Sequence, residues 1–185
     1  MAVIPLDELP QLTHQYDDLN VFVVGGFVRD KLRPNAEPSD VDLMVAGVSK
    51  EEMLDREFRE IDSPNNDTFG VFQDAFGREV ALAREEASTG DGHTSFDIEP
   101  VPADVDPIEA VERDLKRRDI RYNSMALDAR TGELIDPHNG RQDLKNGIIR
   151  ATSKKSFAED PLRILRVARF AARTEHEIED ETKEL

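Results

Sequence analysis

The chain has 185 residues, no cysteine and a net charge of −16. That length suits one domain, or one domain with the start of another, and the lack of cysteine excludes a disulfide scaffold and a thiolate zinc site. No apolar run approaches a membrane span, and the first seven residues lack a basic start and an apolar signal core, so the expected location is cytoplasmic with no membrane partner. Of the basic residues 17 are Arg and 7 Lys, and the acidic excess is dispersed along the chain. Such a surface stays hydrated in concentrated salt, which points to a halophilic source. The other reading is an ordinary acidic protein whose basic residues gather at its site.

Residues 1–20 read as a short amphipathic lead-in, with Leu6, Leu9, Leu12 and Tyr16 at helix-like spacing and Pro10 breaking any long helix. Residues 21–24, V-F-V-V, are β-branched and aromatic, as in a buried strand. Gly25-Gly26 then allows a tight turn that brings N–H groups close to a ligand. A helix opening at Phe27 aims its N-terminus the same way, which suits a phosphate. After a loop holding Pro34, Asn35 and Pro38, a second strand carries Asp40 and Asp42. Strand alternation puts both carboxylates on one face and Val41, Leu43 and Val45 on the other, toward a core. Adjacent carboxylates repel, and a divalent cation relieves that repulsion. Taken singly, Gly-Gly is more often only a turn and Asp-x-Asp a solvated edge or a cap. A phosphate-cradling turn facing a metal-binding carboxylate pair, however, is what nucleotidyl transfer requires.

Ser49-Lys50-Glu51-Glu52 predicts a capped helix running to about Glu60. Residues 71–84 predict a β-hairpin turned at 75–78. On its return strand Val80 and Leu82 pack inward, and Glu79 shares the open face with Ala81 and Ala83. Residues 85–105, acidic and proline-broken, predict a mobile loop with a solvent-exposed His93. Asp106-Pro107 opens a helix, Asp as cap and Pro at the first position, with Val111 and Leu115 on its apolar side. It runs into Lys116-Arg117-Arg118-Asp119, a basic cluster in an acidic background. Asp119 can accept from a sugar hydroxyl and Arg118 can reach a phosphate or ribose; the plainer reading is a basic helix C-terminus favoured by the dipole. A second hairpin turns at 130–132. Asp160 and Pro161 open a last helix. Arg163, Arg166, Arg169 and Arg173 lie on one side of it, and Ile164, Leu165, Val167, Ala168, Ala171 and Ala172 on the opposite, core-facing side.

In this order and spacing, V-F-V-V-G-G-F-V-R-D and D-V-D-L-M-V resemble the signature of the class II tRNA nucleotidyltransferases (CCA-adding enzymes) and bacterial poly(A) polymerases. These belong to the polymerase-β-like nucleotidyltransferase superfamily. Gly25, Gly26, Val28, Arg29, Asp30, Asp40 and Asp42 carry the match. A-L-A-R at 81–84 resembles the approach to that family's flexible loop. R-R-D-I-R-Y-N-S-M-A at 117–126 resembles its ribose-recognising motif, although the family usually has Thr or Ser where Arg121 stands and Ile where Tyr122 stands. Residues 134–150 resemble a structural linker, and E-D-P-L-R-I-L-R-V-A-R-F-A-A-R at 159–173 resembles the nucleotide-selecting motif.

The resemblance covers roughly residues 21–173. It implies an α+β fold: a nucleotidyltransferase head with a mixed sheet of about five strands and flanking helices over 1–150, then the start of a helical neck over 151–185. It implies template-independent transfer of CMP and AMP from CTP and ATP to a tRNA or other RNA 3′ end, with release of pyrophosphate. Asp40 and Asp42 are then catalytic and hold two Mg2+ ions. Glu79 is a candidate third carboxylate, the alternative being a solvated hairpin glutamate. Gly25, Gly26 and Arg29 hold phosphates, Arg118 and Asp119 read the ribose, and Asn123 continues that motif. Asp160 and Arg163 read the base edge, Asp160 capping its helix as well, and Arg166 and Arg169 bind the nucleotide. Relatives continue into further helices that grip tRNA. The chain therefore reads as a fragment, or as a minimal form that docks RNA weakly, as an oligomer or with a helper subunit. The rivals are a poly(A)-polymerase-like or other-substrate transferase, and a nucleotide- or RNA-binding module without catalysis. The intact Asp40 and Asp42 speak against the last.

Overall fold

A computed structural model describes residues 12, 14–34, 36–37, 40–61, 70–88, 96–160 and 162–185. Of the predicted lead-in, Leu6, Leu9 and Pro10 lie outside these residues; Tyr16 is buried in a 3-10 turn, His14–Tyr16. Strand β1 (Asn20–Val24) leads through α1 (Gly26–Lys31) to β2 (Asp42–Ala46). The two strands pair antiparallel, with Val24 opposite Asp42. The second strand thus begins at Asp42, and Asp40 precedes it.

Helix α2 (Lys50–Asp55) starts with the expected capping box: Ser49 Oγ accepts from the Glu52 N–H at 3.2 Å, and Glu52 Oε2 accepts from the Ser49 N–H at 2.8 Å. It ends earlier than the predicted Glu60. Glu57 takes φ 65°, its N–H bonds Leu54 O and the Phe58 N–H bonds Met53 O. This Schellman closure turns Phe58 into the core beside Met53. Arg59–Glu60 become strand β3.

Strands β4 (Val71–Gln73) and β5 (Glu79–Leu82) form the predicted hairpin, and β5 runs parallel to β2 with Leu43 beside Val80. Where a mobile loop was predicted, β6 (Arg84–Ser88) and β7 (Phe96–Pro100) form an antiparallel ladder. Polar composition hid this ladder, because main-chain hydrogen bonds need no apolar alternation. His93 lies outside the described residues. Helix α3 (Pro107–Lys116) is capped as expected, Asp106 Oδ1 accepting from the N–H groups of Ile108 and Glu109 at 3.0 and 3.2 Å. With β8 (Ala126–Asp128) and β9 (Leu134–Ile135), the mixed sheet has the order β3-β4-β5-β2-β1-β8-β9. It has seven strands where about five were expected; the two-residue β3 and β9 lie at its edges.

Both faces of this sheet are covered. Val21, Val23, Leu43, Val45, Phe72, Val80, Leu82 and Leu127 pack into one core with Phe27, Val28 and Met53. Phe22, Val24, Met44, Ala46, Ala83 and Ala126 pack into a second core under Ala110, Val111 and Leu115 of α3. The sequence reading had placed only one side of β2 in a core. Each fully buried large apolar side chain contributes about 1.5–3 kcal/mol.

The chain continues through α4 (Gly140–Asn146), β10 (Ile148–Ile149), the unforeseen α5 (Lys154–Glu159), α6 (Leu162–Thr174), β11 (Glu177–Ile178) and α7 (Asp180–Lys183). Strands β10 and β11 pair parallel. Helix α6 is oriented differently from the expectation. Val167 and Phe170 are its buried residues, whereas Leu162, Ile164 and Leu165 are 64%, 50% and 67% exposed. Arg163 and Arg166 face the head instead, because a buried carboxylate waits for one of them there. Among the described residues no helix is long and apolar enough to cross a membrane.

Candidate active site

The site begins where β1 ends. Gly25 has φ 73° and ψ −135°, a combination strained for any other residue. A Cβ on Gly25 would lie 3.2 Å from Asp42 Oδ2 and 3.7 Å from Arg118 Nη1. Glycine therefore brings bare backbone against a carboxylate and a guanidinium at once. Gly26 follows as the first residue of α1.

Parallel pairing of Leu43 with Val80 sets Asp42 and Glu79 side by side, on the face that α3 covers. Asp40 lies just before the strand and is exposed. Partial burial at the pocket mouth raises the Asp42 carboxyl above the ordinary carboxylate range; Arg118 opposes this, and the charges of Glu79 and Asp40 add to it. Among the described residues, no three His, Cys, Asp or Glu side chains gather tightly enough to hold a metal unaided. The site offers an open set instead, Asp40 and Asp42 with Glu79 alongside. Magnesium takes one or two carboxylates and completes its shell with water and substrate phosphates, so the set fits such an ion.

A second carboxylate organises the arginines. Asp114 is buried on α3 at 1% exposure. Its Oδ1 accepts from Arg118 Nε at 2.9 Å and Nη2 at 2.8 Å. Its Oδ2 accepts from Arg117 Nη2 at 2.7 Å and from the backbone N–H of Arg84 at 3.2 Å. Burial alone would raise its pKa, but Arg118, Arg117 and Arg84 outweigh burial and hold it well below the usual range.

A third arrangement joins α1 to α6. Arg29 donates from Nε and Nη2 to both oxygens of Asp30 at 2.8 and 2.7 Å, and from Nη1 to Asn123 Oδ1 at 2.9 Å. Asn123 Nδ2 donates to Asp119 Oδ1 at 3.3 Å, and Arg166 Nε donates to Asp119 Oδ2 at 2.7 Å. The Arg29 guanidinium also lies 5.4 Å from the centroid of the buried Phe170 ring, a cation–π contact. At the start of α6, Asp160 Oδ1 accepts from the Leu162 N–H at 2.9 Å, and Arg163 Nη1 donates to Ser156 O at 2.6 Å. Asp160 thus acts as the predicted cap; Pro161 lies outside the described residues.

Most of these groups line one cavity of about 430 Å3. Of the residues singled out from sequence, Gly25, Gly26, Arg29, Asp42, Glu79, Arg118, Asp119, Asn123, Asp160, Arg163 and Arg166 line it; Asp40 and Arg169 do not. Arg169 is exposed, its guanidinium 5.5 Å from the Phe170 ring centroid. The lining holds six arginines and five carboxylates, so it is locally net positive in a chain of net charge −16. Sequence reasoning missed Arg84, Asp114, Arg117 and Phe170. A signal for Asp114 existed: it lies three and four residues from the apolar positions 111 and 110, so it shares their buried side, and a buried carboxylate demands cations.

Residues 21–150 match the sequence model of the Poly A polymerase head domain family. The multifunctional CCA protein of Aromatoleum aromaticum is 47% identical over 158 residues, which take in 85% of this chain and 36% of that protein. The multifunctional CCA protein of Haemophilus ducreyi is 40% identical over 171 residues, 90% of this chain and 39% of that one. Among solved structures, a CCA-adding enzyme without ligand aligns with a TM-score of 0.69 and 29% identity, covering 92% of this chain and 40% of its own. The Bacillus stearothermophilus CCA-adding enzyme in complex with CTP aligns with a TM-score of 0.67 and 26% identity, covering 92% and 40%. This chain spans under two fifths of the length of those two curated relatives.

Proposed function

We propose that this chain, which belongs to the Poly A polymerase head domain family, transfers CMP and AMP from CTP and ATP to an RNA 3′ end, as in CCA addition to tRNA. The observation that carries this is the meeting, in one cavity, of the Gly25 turn, the Asp42–Glu79 pair and a net-positive set of arginines. The alignment with an enzyme solved in complex with CTP supports the choice of substrate.

In the reaction the RNA 3′-oxygen forms a bond to the α-phosphorus, and the bond from that phosphorus to the bridging oxygen breaks. The bridging oxygen keeps the electron pair and leaves with pyrophosphate, and the hydroxyl proton passes to water. Asp40 and Asp42 would hold magnesium, which would supply charge neutralisation to the reacting phosphate. Gly25 and Gly26 admit the phosphates close to the main chain. Arg118 and Asp119 meet the ribose, and Asp160 and Arg163 meet the base edge. Arg29 orients Asn123 and Asp119 from beneath, in addition to its assigned phosphate contact; Arg166 and Arg169 complete the nucleotide contacts.

Residues 1–150 act as the catalytic head and 151–185 as the start of a neck that brings α6 to it. The grip on tRNA beyond the head comes from a longer chain, a second copy or a helper subunit. The dispersed acidic surface supports work in a salt-rich cytoplasm, where salt screens its repulsion of RNA. A mixture of the chain, magnesium, labelled CTP and an RNA with a free 3′-hydroxyl tests the proposal: the RNA should gain label and release pyrophosphate. Unlabelled RNA and no pyrophosphate would refute it.

A further inference from the structure

The turn between β4 and β5 is locked from within by Asp74, whose side chain is fully buried. Its Oδ1 accepts from the backbone N–H groups of Phe76 and Arg78, both at 2.9 Å. Its Oδ2 accepts from Arg78 Nε at 2.6 Å and from the Tyr16 hydroxyl at 3.0 Å. These bonds fill the acceptor sites of a carboxylate. The main chain closes the same turn, the Asp74 N–H bonding Arg78 O at 3.1 Å and the Gly77 N–H bonding Asp74 O at 3.0 Å. None of these bonds uses the Phe76 side chain, which stands at the tip. Phe76 is 68% exposed, the one exposed Phe or Tyr among the described side chains. The Arg78 guanidinium lies 5.4 Å from the centroid of its ring and 5.6 Å from that of the buried Tyr16. A cation–π contact thus steadies the ring, and the rest of it faces solvent.

The turn sits on the edge of the sheet that carries the site. Strand β1 ends at Val24, just before the Gly25 turn, and β2 begins at Asp42, with β5 beginning beside it at Glu79. The β4–β5 turn therefore opens onto that same edge. Phe76 precedes the cavity-lining Glu79 by a span of at most about 11 Å, yet it does not itself line the cavity. It is placed to meet what enters the cavity from outside, not the nucleotide within. We propose that Phe76 is a stacking platform for an unpaired base near the 3′ end of the RNA that the cavity extends. The proposal rests on the RNA-extending reading of the site. Unpaired bases of RNA ends stack on aromatic side chains, and such stacking tolerates any sequence because every base has a π-face. A ring already held by its turn loses little freedom when a base settles on it. Asp74 and Arg78 are positioning residues, and Phe76 is the group that touches RNA.

The chain has no tryptophan, so Phe76→Trp places a single indole at the tip. Its fluorescence is titrated, in the whole chain, with a short single-stranded RNA bearing a free 3′-hydroxyl and, separately, with CTP. The RNA should quench the indole and CTP should not. In parallel, Phe76→Ala and Phe76→Leu are assayed for extension of the same RNA with CTP. Both should raise KM for the RNA by about fivefold to a hundredfold, the range for one lost base–aromatic stack, with KM for CTP within about twofold of wild type. Phe76→Trp should keep the wild-type KM for RNA. The side chain is exposed, so melting should be unchanged in all three variants. The leucine variant separates stacking from plain apolar contact. A wild-type KM for RNA in Phe76→Leu, an indole that RNA leaves unquenched, or one that CTP quenches as strongly, overturns the platform; continued extension with CTP would then leave the nucleotidyl-transfer reading standing. If the wild type neither binds nor extends the RNA, the platform and that reading both fall.

Discussion

Arg166 donates its Nε–H to Asp119 Oδ2 at 2.7 Å, tying helix α6 to the end of the R-R-D motif. Asp119 is 4% exposed and already accepts from the Ile120 N–H at 2.8 Å and from Asn123 Nδ2 at 3.3 Å. A carboxylate has about four acceptor sites. One acceptor position remains, and its direction is set by the three bonds already made; under the proposed function it meets a sugar hydroxyl.

Asp119→Ala should therefore narrow the preference for NTP over dNTP. The lost bond to a charged acceptor is worth roughly 1.5–3 kcal/mol, about a tenfold to hundredfold loss of discrimination. Competitive incorporation of CTP and dCTP by the folded variant checks it. Unchanged discrimination would remove Asp119 from the ribose contact.

Gly25→Ala should cost about 1–3 kcal/mol of stability, the scale of a side chain forced into a glycine-only conformation. It should also impair transfer, because the new methyl crowds Asp42 Oδ2, 3.2 Å away. Chemical denaturation and turnover are measured together. A variant with wild-type values for both would contradict the close approach.

Asp114→Asn should destabilise the protein by about 3–5 kcal/mol at neutral pH, since it strips a buried charge from its partners. The pH dependence has a definite sign. The folded pKa of Asp114 lies below its unfolded value, so its contribution is complete above about pH 4 and is lost as pH falls through the folded pKa. The stability gap between wild type and variant should be constant from neutrality to about pH 5 and should narrow toward pH 2. A gap that is flat across that range would mean that the ionised form is not what matters.

Much of this architecture was legible because its signals are local. The V-F-V-V run, the Ser49 capping box and the Asp106-Pro107 start each concern a few neighbouring residues, and each formed as expected. What was missed depended on distant partners. Nothing near Asp114 in sequence says that the main chain of Arg84 will reach it. The β6–β7 ladder uses main-chain pairing that composition does not encode. Helix α6 was misoriented because its apolar side is the longer list of residues. The buried Asp119 draws Arg166 toward the head, and Phe170 fills the gap beneath Arg29.

Asp160→Ala should act on base choice more than on rate. Cytosine and adenine both offer an amino donor beside a ring acceptor, which suits a carboxylate next to a guanidinium. Uracil puts a carbonyl where that amino group sits, against the Asp160 charge. The variant should admit UTP, with about 1 kcal/mol of stability lost along with the helix cap. Four parallel NTP incorporations, after a melting check, read this directly. Full rejection of UTP by the variant would leave Asp160 only as a cap.

The central claim is tested most directly by extension of a tRNA lacking its last three nucleotides, with each NTP in turn, by wild type and by Asp42→Ala. The charge of Asp42 is disfavoured on balance, because burial and then the repulsion of Glu79 and Asp40 outweigh the attraction of Arg118, so the variant should be folded and at least as stable without metal. The account predicts that the wild type extends the RNA with CTP and ATP in magnesium, rejects UTP and GTP, and stops when magnesium is chelated. It predicts no extension at all by Asp42→Ala. A folded Asp42→Ala protein that extends the RNA at the wild-type rate would contradict it.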